Sequence, residues 1–278
     1  MTVPATGLLG DTATRNYARK LQLFNSFAAP ELREAVASLS LEPGMRILDA
    51  GCGTGEALEW LAVAVGARGL VVGLELATAH VAAARACAPP DTAVLQANLL
   101  RPPLAAGSFD LVWAVNTVNH LRDPLAGVGL LASLLRPGGR IALGQSSLLP
   151  DMCFAWDSRL ERLTNEAVRQ YYRDRYGVEE RDLADVRAIV GLLRSARLRE
   201  VRVRSLLIER AAPLAMADEA YLLEAIFRGT WGERLRPYLS ASDYGELSRL
   251  CDPADARFAL RRPDFHFLQS FTLALGSV

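Results

Sequence analysis

Short apolar runs alternate with longer amphipathic segments over the first half of the chain. Each run has the length of a buried strand, and each segment between them carries apolar residues at helical spacing. The pattern predicts helices with the bounds 15–39, 56–66, 78–88 and 123–134, and strands with the bounds 45–50, 69–76, 92–96, 109–115 and 141–145. Strands that alternate with helices build a mostly parallel sheet with helices on both faces.

The second half of the chain has a different pattern. It predicts a polar helix over 151–176, a second helix over 182–195 and an alternating strand over 198–209. A long, mainly helical stretch, 213–263, then precedes a last strand over 265–275. Two late strands joined by so long an insert predict a closing hairpin, with a helical cap at the carboxyl edge of the sheet.

The predicted fold class is therefore α/β, a seven-stranded doubly wound sheet with an antiparallel last strand and a helical cap inserted late in the chain. Three parts are expected along the sequence. Residues 1–40 are lid helices behind an unpatterned lead-in, 41–150 form the ligand-binding core, and 151–278 complete the sheet and carry the cap, over about 151–176 and 213–263. The cap is expected to form the substrate chamber.

Composition and charge narrow the class of protein. Of 278 residues, 51% are hydrophobic and 22% charged, and 31 basic residues balance 31 acidic ones. A chain without net charge or a basic stripe is not drawn to nucleic acid or to an anionic membrane. The four cysteines form no C-x-x-C pair, so no metal site is predicted. No leader or membrane-spanning segment is recognised, which predicts a cytoplasmic protein, and a homodimer is left open.

A glycine-rich loop follows the first predicted strand, which ends in Asp49. Glycines occupy the alternate positions Gly51, Gly53 and Gly55, where they allow left-handed torsions and let a ligand lie against bare amides. The dinucleotide fingerprint requires a further glycine where this chain has Glu56, and a carboxylate at a helix N-terminus repels a pyrophosphate. The loop therefore predicts a nucleoside ligand that carries a positive charge.

The stretch Ile47-Leu48-Asp49-Ala50-Gly51-Cys52-Gly53-Thr54-Gly55 resembles the first motif of class I S-adenosylmethionine-dependent methyltransferases. Glu75 stands twenty residues after Gly55, where these proteins place an acid for the ribose hydroxyls. The turn at 135–140 also resembles the family, and the likeness covers roughly residues 40–148. It implies a Rossmann-like fold, S-adenosyl-L-methionine as cofactor, and cofactor contacts from Asp49, Gly51, Cys52, Gly53, Gly55, Glu75, Leu76, Asn98, Leu99 and Asn116.

This resemblance implies an enzyme that transfers a methyl group to an oxygen, nitrogen or carbon nucleophile of a small molecule, such as a secondary metabolite. The displacement needs no metal. The fourth strand ends without the loop that grips a flipped base, which disfavours a nucleic-acid substrate. The alternatives are a protein of the same fold that binds the cofactor but catalyses another reaction, as a cyclase would, or one that only binds a partner.

Two histidines are candidates for the base that removes a proton. His120 follows the fourth strand, near the expected position of the methyl group, and His266 begins the last strand beside the cap. Histidine suits proton transfer at neutral pH, although a structural role is the alternative for both. His80 is predicted to be a surface or boundary residue. The substrate-pocket candidates are side chains of the lid and the cap: Tyr17, Phe24, Asp157, Tyr171, Tyr172 and Trp231.

Overall fold

The computed structural model describes residues 7–147, 157–178 and 188–278. Seven strands of these residues form one sheet in the order β3–β2–β1–β4–β5–β7–β6. Strands β1 to β5 pair in parallel, and β7 is antiparallel to both of its neighbours, which confirms the predicted fold class. The strands are β1 Arg46–Ala50, β2 Leu70–Glu75, β3 Thr92–Gln96, β4 Phe109–Val115, β5 Leu135–Ser146, β6 Arg199–Ala211 and β7 His266–Ser277.

Helices cover both faces of this sheet. One apolar core lies between the sheet and helices α1 to α4, α6 and the late insert, and a second lies between the other face and helices α5 and α7. No helix of the described ranges is both long and apolar enough to cross a membrane. The described α-helices outside the insert are α1 Ala18–Phe27, α2 Ala29–Ala37, α3 Glu56–Val65, α4 Thr78–Cys87, α5 Pro124–Ser133, α6 Ser158–Tyr176 and α7 Ile189–Ser195, and a 3₁₀ helix spans Val118–His120.

The insert between β6 and β7 differs in detail from the helices predicted for it. It contains α8 (Met216–Tyr221), a π-helix (Leu222–Trp231), a 3₁₀ helix (Glu233–Tyr238) and α9 (Ala241–Leu250). The stretch predicted to be mainly helical is helical here, but over Leu222–Trp231 its backbone is wound more widely than an α-helix. The Thr230 hydroxyl donates a hydrogen bond to the Ala225 carbonyl, five residues back. The predicted starts of the helices at 151 and 182 lie outside the described residues.

The insert packs against α1, and α1 also lines the cavity at the ligand-binding end of the sheet. The ring of Tyr221 stacks on Phe27 with a centroid distance of 4.3 Å and contacts Phe24 at 5.9 Å. The insert leaves β6 at Ala211 and returns at His266, which are paired neighbours in the sheet. This arrangement places α1 between the insert and the carboxyl ends of the central strands.

Candidate functional site

A cavity of about 370 Å³ lies at the carboxyl ends of β1, β2 and β4. Its wall combines the glycine loop with side chains of α1 and of the segment before α1. Nine of the ten residues predicted to bind the cofactor line it: Asp49, Gly51, Cys52, Gly53, Glu75, Leu76, Asn98, Leu99 and Asn116. The fold therefore brings together residues that are spread over nearly seventy positions of sequence.

Gly55 is the predicted cofactor residue that does not line the cavity. Its φ is +92°, and a Cβ there would lie 2.9 Å from the Ala84 Cα. The residue is glycine because the loop turns left-handed where it passes α4. Its contribution to the site is therefore to shape the loop, which corrects the prediction of a direct contact.

The Glu75 carboxylate is held in a fixed position at the end of β2. Its Oε1 accepts hydrogen bonds from the amides of Leu76 and Ala77 at 2.9 and 2.8 Å, and its Oε2 accepts one from the Gly53 amide at 3.2 Å. Burial by itself would raise the pKa of this carboxyl, but His80 and the backbone amides lower it overall. Glu75 is thus a charged, oriented acceptor at the position expected for ribose recognition.

His80 is buried, which makes the prediction of a surface or boundary position wrong. Only 1% of its surface is exposed, and its ring meets that of Tyr17 edge-on at 4.4 Å. Its Nε2 accepts a hydrogen bond from the Tyr17 amide at 3.2 Å, so its proton is on Nδ1, which lies 3.6 Å from Glu75 Oε1. The sequence did carry a signal for this burial, because His80 lies on the same helical face as the apolar residues Ala77, Val81 and Ala84.

Helix α1 is also tied to the glycine loop. The side-chain amide of Asn25 donates a hydrogen bond to Glu56 Oε2 at 2.6 Å, and the Thr54 hydroxyl donates to the same carboxylate at 2.7 Å.

Tyr17 and Phe24, both predicted to belong to a lid over the site, line the cavity. Their role in holding a substrate stays a prediction.

Asp49 supplies a buried carboxyl group to the cavity wall. The residue is 3% exposed, and its Oδ2 has no hydrogen-bond partner. Burial, reinforced by the charges of Glu75 and Glu56, raises its pKa to about 8. A buried carboxyl oxygen without a partner fits a ligand that brings a positive charge, as S-adenosylmethionine does with its ammonium and sulfonium groups.

We expect the affinity for S-adenosylmethionine to rise with pH up to about pH 8. Below that pH the free protein holds a proton on Asp49, and a bound cation must displace it, so affinity should change by up to about tenfold per pH unit. In the unfolded protein the Asp49 carboxyl titrates near its ordinary pKa, well below its pKa in the folded protein. The free energy of unfolding therefore falls as pH rises from about 4 to 8. Calorimetry in buffers of different ionisation enthalpy would measure the released proton.

The matched control for this measurement is Asp49→Asn, which keeps the shape of the side chain but cannot titrate. We expect this variant to bind with an affinity that changes little over the same pH range. A wild-type affinity that is flat with pH, with no proton released, would contradict the assignment of Asp49 to the cation.

The other end of the cavity carries two asparagines. Asn98 Oδ1 accepts the Leu100 amide at 2.9 Å, which uses one of its two lone pairs and orients the side chain. Asn116 has a φ of +50°, and its side chain exchanges two hydrogen bonds with Ser146, at 2.8 and 3.2 Å. Asn116 therefore holds the end of β4 to β5, whereas Asn98 keeps a second lone pair on Oδ1, and its contact with the cofactor stays a prediction.

His120 lines the cavity and forms a pair with a residue that the sequence did not single out. Its Nδ1 lies 2.7 Å from Asp11 Oδ2, and Asp11 also accepts a bond from Arg15 at 2.6 Å. Asp11 lies in the unpatterned stretch before α1, which offered no periodic signal. The part of that stretch from residue 7 onward packs against the site, although its sequence predicted no role beyond a lead-in to the lid helices.

His266 lies away from the cavity, which corrects its prediction as a candidate base. Its Nε2 pairs with Glu209 Oε1 at 2.7 Å on the sheet surface, where the two side chains are 45% and 56% exposed. The residue does begin β7 beside the insert, as predicted. The insert, however, packs toward α1, so the start of β7 stays outside the cavity wall.

The predicted pocket residues of the cap are likewise absent from the described wall of the cavity. Asp157 caps α6 by accepting the Arg159 amide at 2.7 Å. Tyr171 and Tyr172 contact each other edge-on at 5.9 Å within a tyrosine cluster, and Trp231 is 1% exposed and stacks on Phe227. Asp157 and the two tyrosines therefore belong to α6, and Trp231 belongs to the core of the insert, which corrects their assignment to the pocket.

The strand order, the glycine loop and the fixed carboxylate at the end of β2 define the class of protein. A parallel sheet with an antiparallel β7 between β5 and β6, and a nucleoside site at the switch point beside β1, is the class I S-adenosylmethionine-dependent methyltransferase fold. Comparisons with known proteins agree. A family model described as a methyltransferase domain matches residues 48–143.

The chain is similar to many curated proteins and solved structures, among them the following three. It is 30% identical over 224 residues to a nocamycin O-methyltransferase from Saccharothrix syringae, across 76% of this chain and 77% of the relative. It is 36% identical over 117 residues to a 27-O-demethylrifamycin SV methyltransferase from Amycolatopsis mediterranei (strain S699), across 40% and 42%. The [4+2]-cyclase SpnF shares the fold, with a TM-score of 0.54, 15% identity and coverage of 99% and 98%.

The chain therefore belongs to the family of S-adenosylmethionine-dependent methyltransferases, and S-adenosyl-L-methionine is its cofactor. It spans less than half of the length of the first curated relatives that it matches.

Proposed function

We propose that this protein transfers a methyl group from S-adenosylmethionine to an oxygen atom of a small molecule. One observation carries the proposal. A single cavity is lined by the residues suited to the cofactor and by His120, whose Nδ1 is bonded to a carboxylate. Both relatives described above are named as methyltransferases of small molecules, and each name specifies an oxygen.

Different residues of the site bind the cofactor, accept the proton and exclude water. Asp49, Gly53 and Glu75 hold the cofactor, which supplies an electrophilic methyl group when it is bound. His120 accepts the proton of the attacking hydroxyl, since a neutral imidazole is a suitable base near neutral pH. Helix α1 covers the cavity and excludes water, so that the acceptor and the methyl group are held near attack distance.

The substrate is proposed to be largely apolar around its hydroxyl group. Side chains of α1 and β4, with one from α3, give the wall a mainly apolar character: Leu21, Phe24, Trp60, Trp113 and Val115. The insert acts through α1, on which it packs, rather than through its own described side chains. The cytoplasmic location, the absence of a nucleic-acid partner and the homodimer stay predictions from the sequence.

A screen with purified protein tests the proposal. The protein is incubated with S-adenosylmethionine and a panel of hydroxylated aromatic and macrocyclic compounds, each matched with its analogue that lacks the hydroxyl. We expect S-adenosylhomocysteine to form only with the hydroxylated members of the panel. Each should give a product whose mass exceeds that of the starting compound by one methylene group. Failure of the protein to bind either nucleoside in calorimetry would overturn the assignment.

The same screen separates the proposal from the alternative of a non-methyl reaction. The likeness to a cyclase concerns the fold alone, since 15% identity does not carry a function across. A cyclase would change its substrate without forming S-adenosylhomocysteine. A product of unchanged mass together with intact cofactor would therefore favour that alternative.

A further inference from the structure

The pairing of Asp11 with His120 assigns a specific proton arrangement to the candidate base. Burial by itself would raise the pKa of Asp11, but the hydrogen bond from His120 and the charges of His120 and Arg15 lower it overall. Asp11 is therefore ionised at neutral pH and can only accept hydrogen bonds. At 2.7 Å, the proton between the two groups belongs to His120 Nδ1, which leaves Nε2 as the acceptor atom of the neutral ring.

Asp11 is itself held in place by its own segment. Arg15 donates to Asp11 Oδ1 at 2.6 Å and to the Leu9 carbonyl at 2.5 Å. The Leu8 amide donates to the His120 carbonyl at 2.7 Å, and the Gly7 amide donates to the Asp11 carbonyl at 3.1 Å. These bonds fix the carboxylate on the side of the imidazole, so the pair is built from backbone and side-chain contacts together.

The far end of the same segment is attached to the cofactor side of the cavity. The Thr78 amide donates to the Ala13 carbonyl at 2.9 Å, and the Tyr17 amide donates to His80 Nε2 at 3.2 Å. His80 in turn faces the ribose carboxylate Glu75. Residues 7–17 therefore run from the candidate base to the cofactor site and are held at both ends.

We propose that Asp11 is a positioning residue for methyl transfer, which keeps His120 in its Nδ1–H tautomer with Nε2 available to the acceptor hydroxyl. This inference rests on the proposed function. In the step itself, the acceptor oxygen forms a bond to the methyl carbon, and the carbon–sulfur bond breaks with its electron pair going to sulfur. The hydroxyl proton moves to Nε2, the Asp11 carboxylate stabilises the imidazolium, and solvent later takes the proton.

The competing explanation is that the ion pair only fastens the segment to the core. The chain offers a matched comparison, because His266 and Glu209 form a pair of the same 2.7 Å length on the surface. There the bonded nitrogen is Nε2, so the carboxylate stabilises the opposite tautomer. If the Asp11–His120 pair were purely structural, the rate of methyl transfer would not depend on which nitrogen of His120 carries the proton.

Nuclear magnetic resonance of protein labelled in its three histidines reads these tautomers directly, without any substrate. We expect His80 and His120 as Nδ1–H tautomers and His266 as the Nε2–H tautomer, each assigned by its own substitution. In Asp11→Asn the amide can donate to Nδ1 as well as accept from it, so His120 should lose its fixed tautomer. Asp11→Glu keeps an acceptor-only group and should retain it.

The rate measurement uses the same variants with an acceptor found in the screen. We expect Asp11→Asn to lower kcat by about 10²-fold or more while its affinity for S-adenosylhomocysteine stays close to wild type. Asp11→Glu should recover part of the rate, and Glu209→Gln should change nothing. The double variant Asp11→Asn with His120→Ala should be no slower than His120→Ala alone, because residues that act as a unit are not additive.

Two results would overturn the proposal: an Nε2–H tautomer of His120 in the wild-type protein, or a folded Asp11→Asn variant that keeps either the fixed tautomer or the wild-type rate. The wild-type spectrum stands even where a variant fails to fold, which thermal denaturation would reveal. Should no acceptor be methylated, the proposed function fails on its own account. The magnetic resonance spectra would then still show whether Asp11 fixes the tautomer of His120.

Discussion

Replacement of Gly53 by valine is expected to abolish the binding of S-adenosylmethionine while leaving a folded protein. The Gly53 φ is +54°, and a Cβ there would come within 3.2 Å of the Leu21 Cδ1, the end of a flexible side chain that can move aside. The larger valine side chain would then occupy part of the cavity that Gly53 lines. We expect a loss of at least about 100-fold in affinity, or about 2.7 kcal/mol, measured by calorimetry.

Gly44→Val is the matched control for this substitution. Gly44 has a φ of +93°, and a Cβ there would meet no atom within 4 Å, so valine brings backbone strain without filling the cavity. Both variants should lose about 1 to 2 kcal/mol of stability from the left-handed torsion. Only Gly53→Val should lose binding, and a Gly53→Val protein that binds as the wild type does would show that the cofactor lies elsewhere.

Replacement of His120 by alanine is expected to lower kcat by about 10² to 10⁴-fold, the usual contribution of a positioned general base. The affinity for S-adenosylhomocysteine should stay near the wild-type value, because the groups assigned to the nucleoside lie on the glycine loop and at the ends of β2 and β3. A fall in kcat with an unchanged KM would identify an interaction made in the transition state.

His266→Ala supplies the control for general effects of removing a histidine. The His266 side chain is 45% exposed and paired with Glu209 outside the cavity, so its loss should leave kcat unchanged. Thermal denaturation of both variants separates a loss of chemistry from a loss of folding. Equal rates in His120→Ala and wild type would remove His120 from the mechanism and would leave proton transfer to solvent.

The parallel core could be predicted closely because its signals are local. The strands at Thr92–Gln96 and Phe109–Val115 have the predicted bounds, since an apolar run bounded by turn residues reports burial within a few positions. The glycine loop and Glu75 were recognisable for a similar reason. A strand–loop–helix unit fixes how far apart the loop and the acid must stand in the sequence.

The insert shows where local signals fail. Its apolar residues recur at nearly helical spacing, which is compatible with both an α-helix and the π-helix over Leu222–Trp231. Its aromatic residues were also compatible with a pocket or with a core. The structure shows that these aromatic residues form a core, because the insert packs against α1 and α6. The stack of Trp231 on Phe227 is one example. Helical periodicity reports that a face is buried but does not report what covers it.

The sequence by itself determined the parallel strands, the glycine loop and the acid for the ribose, because each is marked by a pattern within one strand–helix unit. Only the tertiary structure decided which histidine faces the cavity and which carboxylate orients it. Asp11 and His120 are separated by 109 positions, and Asp11 stands in a stretch without periodicity. A hydrogen bond between such residues leaves no mark on the local pattern of either one, since the path of the whole chain sets their distance.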